Sequence, residues 1–269
     1  MNDQTLKVFR ICEDLYAHYQ YPEFIDPDPL MLVKQVDPQY REGWALVMAT
    51  LALGRVAQIL RIGTILLETC GQEGIHDPGR IEKLVPHIQN LKHRFFNGSD
   101  LSHLLLGISK VIVENGSLEA VVARGIIDSK NQSGSKCFLA LGTLRKELIR
   151  TGGPSRNNLL SQVPGTSANK RWAMFLRWVV RKDAIDIGTW TCLTAKDLIM
   201  PIDTHILRNC RILGITNRNV ADNKTAEEIT RFFAVLCPED PLKYDFVLSR
   251  VGIHPALKNI SLEKALSSV

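Results

Sequence analysis

Long hydrophobic runs are missing from this 269-residue sequence. Its greasiest stretch, Trp44 to Leu67, is interrupted by Gly54, Arg55, Gln58 and Arg61, so no segment offers the roughly 18 apolar residues that a membrane span requires. That stretch reads instead as amphipathic helix laid on a core. A secretory h-region is also missing from MNDQTLKVFRICEDLY, and a cytoplasmic protein without a membrane partner is expected. The six cysteines stand singly, at Cys12, Cys70, Cys137, Cys192, Cys210 and Cys237, with no CxxC pair. Such spacing does not suit zinc or iron–sulfur ligation, and neither a metal nor a cofactor is expected. Strand signals are scarce too: there is no sustained period-two alternation and no Asn-Gly or Asp-Gly hairpin between two such runs.

What is present is ordinary globular composition, 45% hydrophobic and 23% charged, which excludes a chain too polar to collapse. The length suffices for one large domain, 1–269, with a real core. Net charge is only +5, but its distribution is uneven. Between Arg145 and Lys182 lie nine basic residues, Arg156 among them, against the single acid Glu147. A phosphate backbone would match that bias, and so would a solvated basic face.

Helical signals run through the whole chain. Apolar residues recur at helical spacing over 4–20, a short segment fits 30–36 between prolines, and one long helix or two cover 43–69. Further helices fit 79–90 after Asp77-Pro78, 101–115 with Asp100 as N-cap and Gly116 as stop, 117–124 and 136–150. Polar loops are expected at 129–135 and 151–158. After Asn169, KRWAMFLRWVVRK puts Trp172, Phe175, Leu176, Val179 and Val180 on one face. Lys170, Met174, Arg177 and Arg181 form the opposite stripe at i, i+4, i+7 and i+11. Helices at 204–213, 225–237 and 241–250 complete an all-α fold.

Two short stretches carry possible chemistry. Gln162-Val163-Pro164-Gly165-Thr166-Ser167-Ala168-Asn169-Lys170 reads as a helix end, a tight turn and a new helix start, the skeleton of a helix-hairpin-helix element. Such a turn aims backbone N–H groups and a helix N-terminus at a phosphate, so Pro164, Gly165, Thr166, Ser167 and Asn169 are candidate contacts, with Arg171, Arg177 and Arg181 beyond them. Met200-Pro201-Ile202-Asp203-Thr204-His205-Ile206-Leu207-Arg208 fixes an extended approach at Pro201 and puts Asp203 where an N-cap belongs.

The second stretch resembles the Val-Asp-Thr-His-Val-x-Arg signature of the endonuclease III-like DNA glycosylases, the HhH-GPD superfamily. Leu46-Val-Met-Ala-Thr-Leu-Ala-Leu-Gly-Arg-Val-Ala-Gln is similar to the helix and turn with which those enzymes approach the damaged strand, which makes Gly54, Arg55 and Gln58 candidate DNA contacts. YPEFIDPDPL, HRFFNGSDL, KRWAMFLRWVVRKD and PEDPLKYDFVLSRVGIHP resemble a bacterial branch of conserved hypothetical proteins in that superfamily. The chain departs from the pattern in three places. The second hairpin glycine is absent, the four-cysteine iron–sulfur signature is absent, and Lys170 and Asp203 lie 33 positions apart, closer to the archaeal 8-oxoguanine glycosylase branch. A loop at 183–199 must then fold back for the two to meet.

The resemblance implies two helical lobes, approximately 1–40 with 204–269 and 41–160, the hairpin and catalytic helix at 159–182 between them, and an interlobe cleft. It implies base-excision chemistry on double-stranded DNA containing a damaged base, oxidised purines such as 8-oxoguanine among the substrates, by a monomer associated with the nucleoid. Asp203 would stabilise an oxocarbenium-like sugar. Lys170 would form a Schiff base at C1′, its amine tuned by Arg171 and Arg177, and strand cleavage by β-elimination would follow. An everted base would meet aromatic faces, for which His93, Phe95, Trp172 and His205 are candidates, with Trp178 and Trp190 behind them. Plainer roles remain open: Asp203 as a cap alone, Lys170 as a solvated lysine, His205 in local hydrogen bonding, Trp172 and Trp178 in the core, and Arg177 and Arg181 in salt bridges. A binding module for DNA or RNA, without catalysis, is the alternative function.

Overall fold

Helix periodicity across nearly the whole sequence produces a chain that is mostly helical in the computed structural model, which describes residues 2–153, 159–251, 253–257 and 259–268. Arg156 and the loop at 154–158 lie outside the described residues. Among those described there are thirteen α-helices: α1 Asp3–Tyr19, α2 Leu30–Gln35, α3 Arg41–Leu51, α4 Val56–Cys70, α5 Pro78–Ile88, α6 Gly98–Asn115, α7 Leu118–Asp128, α8 Lys136–Gly152, α9 Lys170–Val180, α10 Thr204–Ile212, α11 Asn223–Leu236, α12 Asp245–Arg250 and α13 Leu262–Ser268. No helix is long and apolar enough to cross a membrane.

The centre is α3. Every residue from Gly43 to Leu51 is buried, because α2, α4, α6 and α9 all pack around it. The apolar run continues past Leu51, yet the chain cannot: Gly54 sits at φ 103°, a left-handed region that opens a turn, and α4 starts afresh at Val56. The stretch 43–69 is therefore two helices. On one flank α5, α6, α7 and α8 pack in sequence order, with α6 and α8 crossing where Gly107 meets Gly152. A methyl at Gly152 would come 2.2 Å from His103 O, so only glycine permits this approach. On the other flank α12 packs on α1 and α10, and α13 on the same two helices.

Several expected boundaries shift for local reasons. Asn97 rather than Asp100 caps α6, and Asp100 returns the bond to Asn97 N–H in a reciprocal capping box. The last helix near 250 starts at Asp245, since 242–244 form a turn. A two-residue ladder, β1 Lys92–His93 with β2 Phe96–Asn97, precedes α6; it is too short to leave a period-two signal.

The expected helix end before Pro164 is a correction. α8 stops at Gly152, where Gly153 takes φ 94°, and Leu159 to Asn169 carries no helix. Its carbonyls are satisfied from the side: Leu160 O accepts from Arg145, Ser161 O from Trp172 Nε1 and Leu159 O from Arg171. Gly142 of α8 admits the strap, since a methyl there would lie 3.0 Å from Val163 O. The segment is a strap across α8 and α9, and among the described residues no helix leads into the Pro164-Gly165 turn.

Candidate functional site

The site is built on the starts of two helices. α9 begins at Lys170 after Asn169, which adopts the left-handed region at φ 49° and donates from Nδ2 to Ser167 O at 3.1 Å. Thr166 O accepts from Asn223 N–H at 3.1 Å, and Ser167 bridges to Asp222, so the start of α11 fixes the start of α9. α10 begins after Asp203, whose Oδ1 accepts from the N–H groups of His205 and Ile206, each at 2.9 Å. Its other oxygen, Oδ2, lies 3.2 Å from Lys170 Nζ. The two side chains are 35% and 20% exposed, so the pair faces solvent without being free in it. Burial pushes the Asp203 carboxyl up, but the Lys170 ammonium, the Ile206 N–H and His205 outweigh it and hold the group below its usual range.

The loop between α9 and α10 explains how residues 33 positions apart meet. It first doubles back on α9: Ile187 and Gly188 donate to Trp178 O at 3.0 Å, and Trp190 to Val179 O at 2.8 Å. Lys34 Nζ donates to the carbonyls of Ala184 and Ile185 at 2.8 Å. The Trp190 indole N–H reaches Glu42 Oε2 at 2.8 Å, a carboxylate that also accepts from Leu118 N–H at the start of α7. Burial raises the Glu42 carboxyl above its ordinary value despite those donors. Glu119 then accepts from the N–H groups of Thr191 and Cys192, and Met200 N–H donates to Thr230 at 2.9 Å just ahead of Pro201.

Other expected site residues fall elsewhere. Arg177 and Arg181 are each 4% exposed. Arg177 pairs with Asp186 at 3.1 Å and Asp245 at 2.5 Å, while Arg181 pairs with Asp183 at 3.0 Å, Asp240 at 2.9 Å and also Asp186. These carboxylates hold both guanidinium groups charged. As phosphate contacts the two arginines are therefore a correction: their donors are committed inside the protein. Arg171 is anchored as well, donating to Thr50 O at 3.0 Å and Leu159 O at 2.6 Å, and burial pushes its guanidinium down to about 10. Trp172, at 3% exposure, packs in the core, and so do Trp178 and Trp190. His93 is buried, 2% exposed, with its ring nitrogen 2.8 Å from Leu51 O; burial lowers its pKa more than that hydrogen bond restores. His205 is half-buried near Asp203. Asn169 is buried and turned to Ser167, whereas Pro164, Thr166 and Ser167 are exposed and Gly165 is half-buried. Gly54, Arg55 and Gln58 are exposed at the α3–α4 turn, and Phe95 is exposed at the tip between β1 and β2.

Sequence reasoning missed the four aspartates around Arg177 and Arg181. Only the Arg-rich stripe itself hinted that counter-charges must be found. Among the described residues no group of three or more His, Cys, Asp or Glu side chains is placed to hold a metal ion. A cavity of about 460 Å³ lies between α7 and α8, lined by Ile126, Ser129, Lys130 and Leu139, and does not include the Lys170–Asp203 pair.

A family model described as protein of unknown function, DUF2400, matches residues 28–254. The chain belongs to the DUF2400 family. No curated protein and no solved structure matches it. This membership corrects the resemblance to the endonuclease III-like superfamily: the family model that fits this DUF2400 protein is a different one, and the Ile-Asp-Thr-His and Pro-Gly stretches are too short to outweigh a match across 28–254. The strap ahead of Pro164 is consistent with that correction, since the expected first helix is not there.

Proposed function

We propose that this DUF2400 protein is a DNA N-glycosylase with AP-lyase activity, with Lys170 as nucleophile and Asp203 as the stabilising carboxylate. One observation carries the reading: an amine 3.2 Å from a carboxylate whose other oxygen is fixed by two backbone N–H groups, both partly open to solvent. Stability does not account for such care. An exposed ion pair contributes at most about 1 kcal/mol, yet a long loop, tied to α2, α3, α7, α9 and α11, serves to bring Asp203 to Lys170.

The chemistry follows from the two groups. Once deprotonated, Lys170 Nζ attacks C1′ of a nucleoside, and the base leaves with the C1′–N electron pair and takes up a proton. Asp203 Oδ2, beside the amine, stabilises the positive charge that develops on the sugar. Ring opening gives a Schiff base to Lys170; loss of a C2′ proton then expels the 3′ phosphate, and water releases the amine. The substrate is double-stranded DNA with a damaged base that leaves the stack. In this reading the pair lies at the rim of a cleft between two helical lobes, supported by the packing of α1, α10, α12 and α13 together and of α5 to α8 together.

The test is borohydride trapping on a panel of lesion-bearing duplexes that starts with 8-oxoguanine. The wild-type chain is expected to form a covalent adduct that Lys170→Ala abolishes. Base release without trapping would reduce the proposal to a monofunctional glycosylase using Asp203 and water. Salt-sensitive binding with neither outcome would make the chain a DNA- or RNA-binding module.

A further inference from the structure

The tip between β1 and β2 has a construction that the Lys170–Asp203 pair does not explain. Phe95 is 67% exposed, and the Arg94 guanidinium lies 5.1 Å from its ring centroid. Arg94 itself is held at φ 55°, a left-handed conformation that an L-residue with a long side chain rarely takes. Gly54 makes this possible from the opposite turn: a methyl on it would come 2.9 Å from Arg94 Cδ, so the missing side chain leaves the channel in which the arginine stem lies. The tip is rigidly seated. His93 bonds Leu51 O at the end of α3, and Phe96, its cross-strand neighbour, is buried beneath the Arg171 guanidinium at 5.9 Å. Arg171 in turn bonds Thr50 O from the residue after Lys170, so the tip and the amine stand on one framework.

The tip and the facing α3–α4 turn carry positive charge without carboxylate partners. Arg55, Arg61, Lys92 and Arg94 are exposed, and among the described residues none has a carboxylate within 4.0 Å. Burial lowers the His93 pKa first, and the charges of Arg94, Arg171 and Arg61 lower it further. An exposed aromatic ring under Arg94, on a tip with exposed cations that lack carboxylate partners, fits a polymer that alternates π faces with phosphates. It does not fit a membrane surface, whose binding grows with buried apolar area, because the flanking Leu53 and Leu91 are partly buried and, among the described residues, Phe95 is the one exposed large apolar residue in the 51–97 stretch.

We infer that the Arg94–Phe95 tip is a stacking site for one unpaired base of a nucleic-acid strand, with Arg55, Arg61 and Lys92 holding the flanking phosphates. The inference rests on the reading above only for the class of partner, not for its chemistry. Anisotropy titration of the full chain with a labelled oligothymidylate and with an equally long strand of the tetrahydrofuran abasic analogue, which has no aldehyde for Lys170 to capture, tests it. Wild type should prefer the base-bearing strand. Phe95→Ala should lose about tenfold on that strand and nothing on the abasic one, the size expected for one stacked base. Phe95→Trp should keep the preference, and Arg61→Ala should weaken both strands alike and reduce the salt slope by about one. The titration needs no covalent adduct, so failure of the adduct chemistry and failure of this site are told apart. No binding by wild type, equal binding of both strands by wild type and Phe95→Ala, loss of the preference in Phe95→Trp, or a Phe95-dependent capture of phosphatidylserine vesicles in place of oligonucleotide would each overturn the assignment.

Discussion

Because Oδ1 of Asp203 is occupied by the N–H groups of His205 and Ile206, only Oδ2 is left for Lys170, and the two jobs can be separated by substitution. Asparagine caps a helix as well as aspartate does but carries no charge. Asp203→Asn should therefore keep the cap, give up at most about 1 kcal/mol of ion-pair stability at neutral pH, and slow base release by about 10²- to 10³-fold. Asp203→Ala should add the loss of the cap, about 1 kcal/mol in denaturant unfolding. The pH dependence has a definite sign. The folded-state pKa of Asp203 is depressed, so its contribution to stability is complete above the unfolded value of about 4 and is lost as pH falls through the folded one. A stability profile of wild type against Asp203→Asn should diverge above that value and converge below it. Arg177 offers a different test: Arg177→Ala would leave Asp245 buried without its partner and Asp186 with Arg181 alone, at a cost of about 3–5 kcal/mol in urea unfolding. Asp203 was legible as a cap because capping is local chemistry. The fate of Arg177 was not, since its partner Asp245 lies 68 positions away.

At the scale of elements, the helices were readable wherever an apolar stripe met a capping residue or a glycine stop, as at Asp77, Gly116 and Asp203. The failures share a cause: tertiary contacts replaced a local pattern. The strap at 159–169 lacks helix because Arg145, Arg171 and Trp172 supply the donors its carbonyls need, and none of these is signalled by the strap's own residues. The α9–α10 loop likewise depends on Glu42 and Glu119, which sequence spacing gave no reason to connect with Trp190 or Thr191. Glu42→Ala should free the Trp190 indole and the start of α7 together. The expected result is faster amide exchange at 187–193 and lower adduct yield, with the α9 core intact; exchange unchanged in that loop would show that Glu42 does not hold it.

For the whole molecule, composition and periodicity were enough for a mostly helical chain without a membrane-crossing helix, because both depend on averages over many residues. Lineage was another matter. A few short motifs suggested one superfamily, while the match across 28–254 belongs to DUF2400, so similarity of a four-residue signature does not establish descent. The Lys170–Asp203 geometry is independent of that question, because it is a proximity in the fold and not a motif. Its chemical consequence is open to direct observation. After borohydride reduction in the presence of a damaged duplex, tryptic peptide mapping by mass spectrometry should find the deoxyribose remnant on Lys170, with trypsin no longer cutting after that residue. A remnant on any other lysine, or none on any duplex of the panel while intact chain is recovered, would contradict the account.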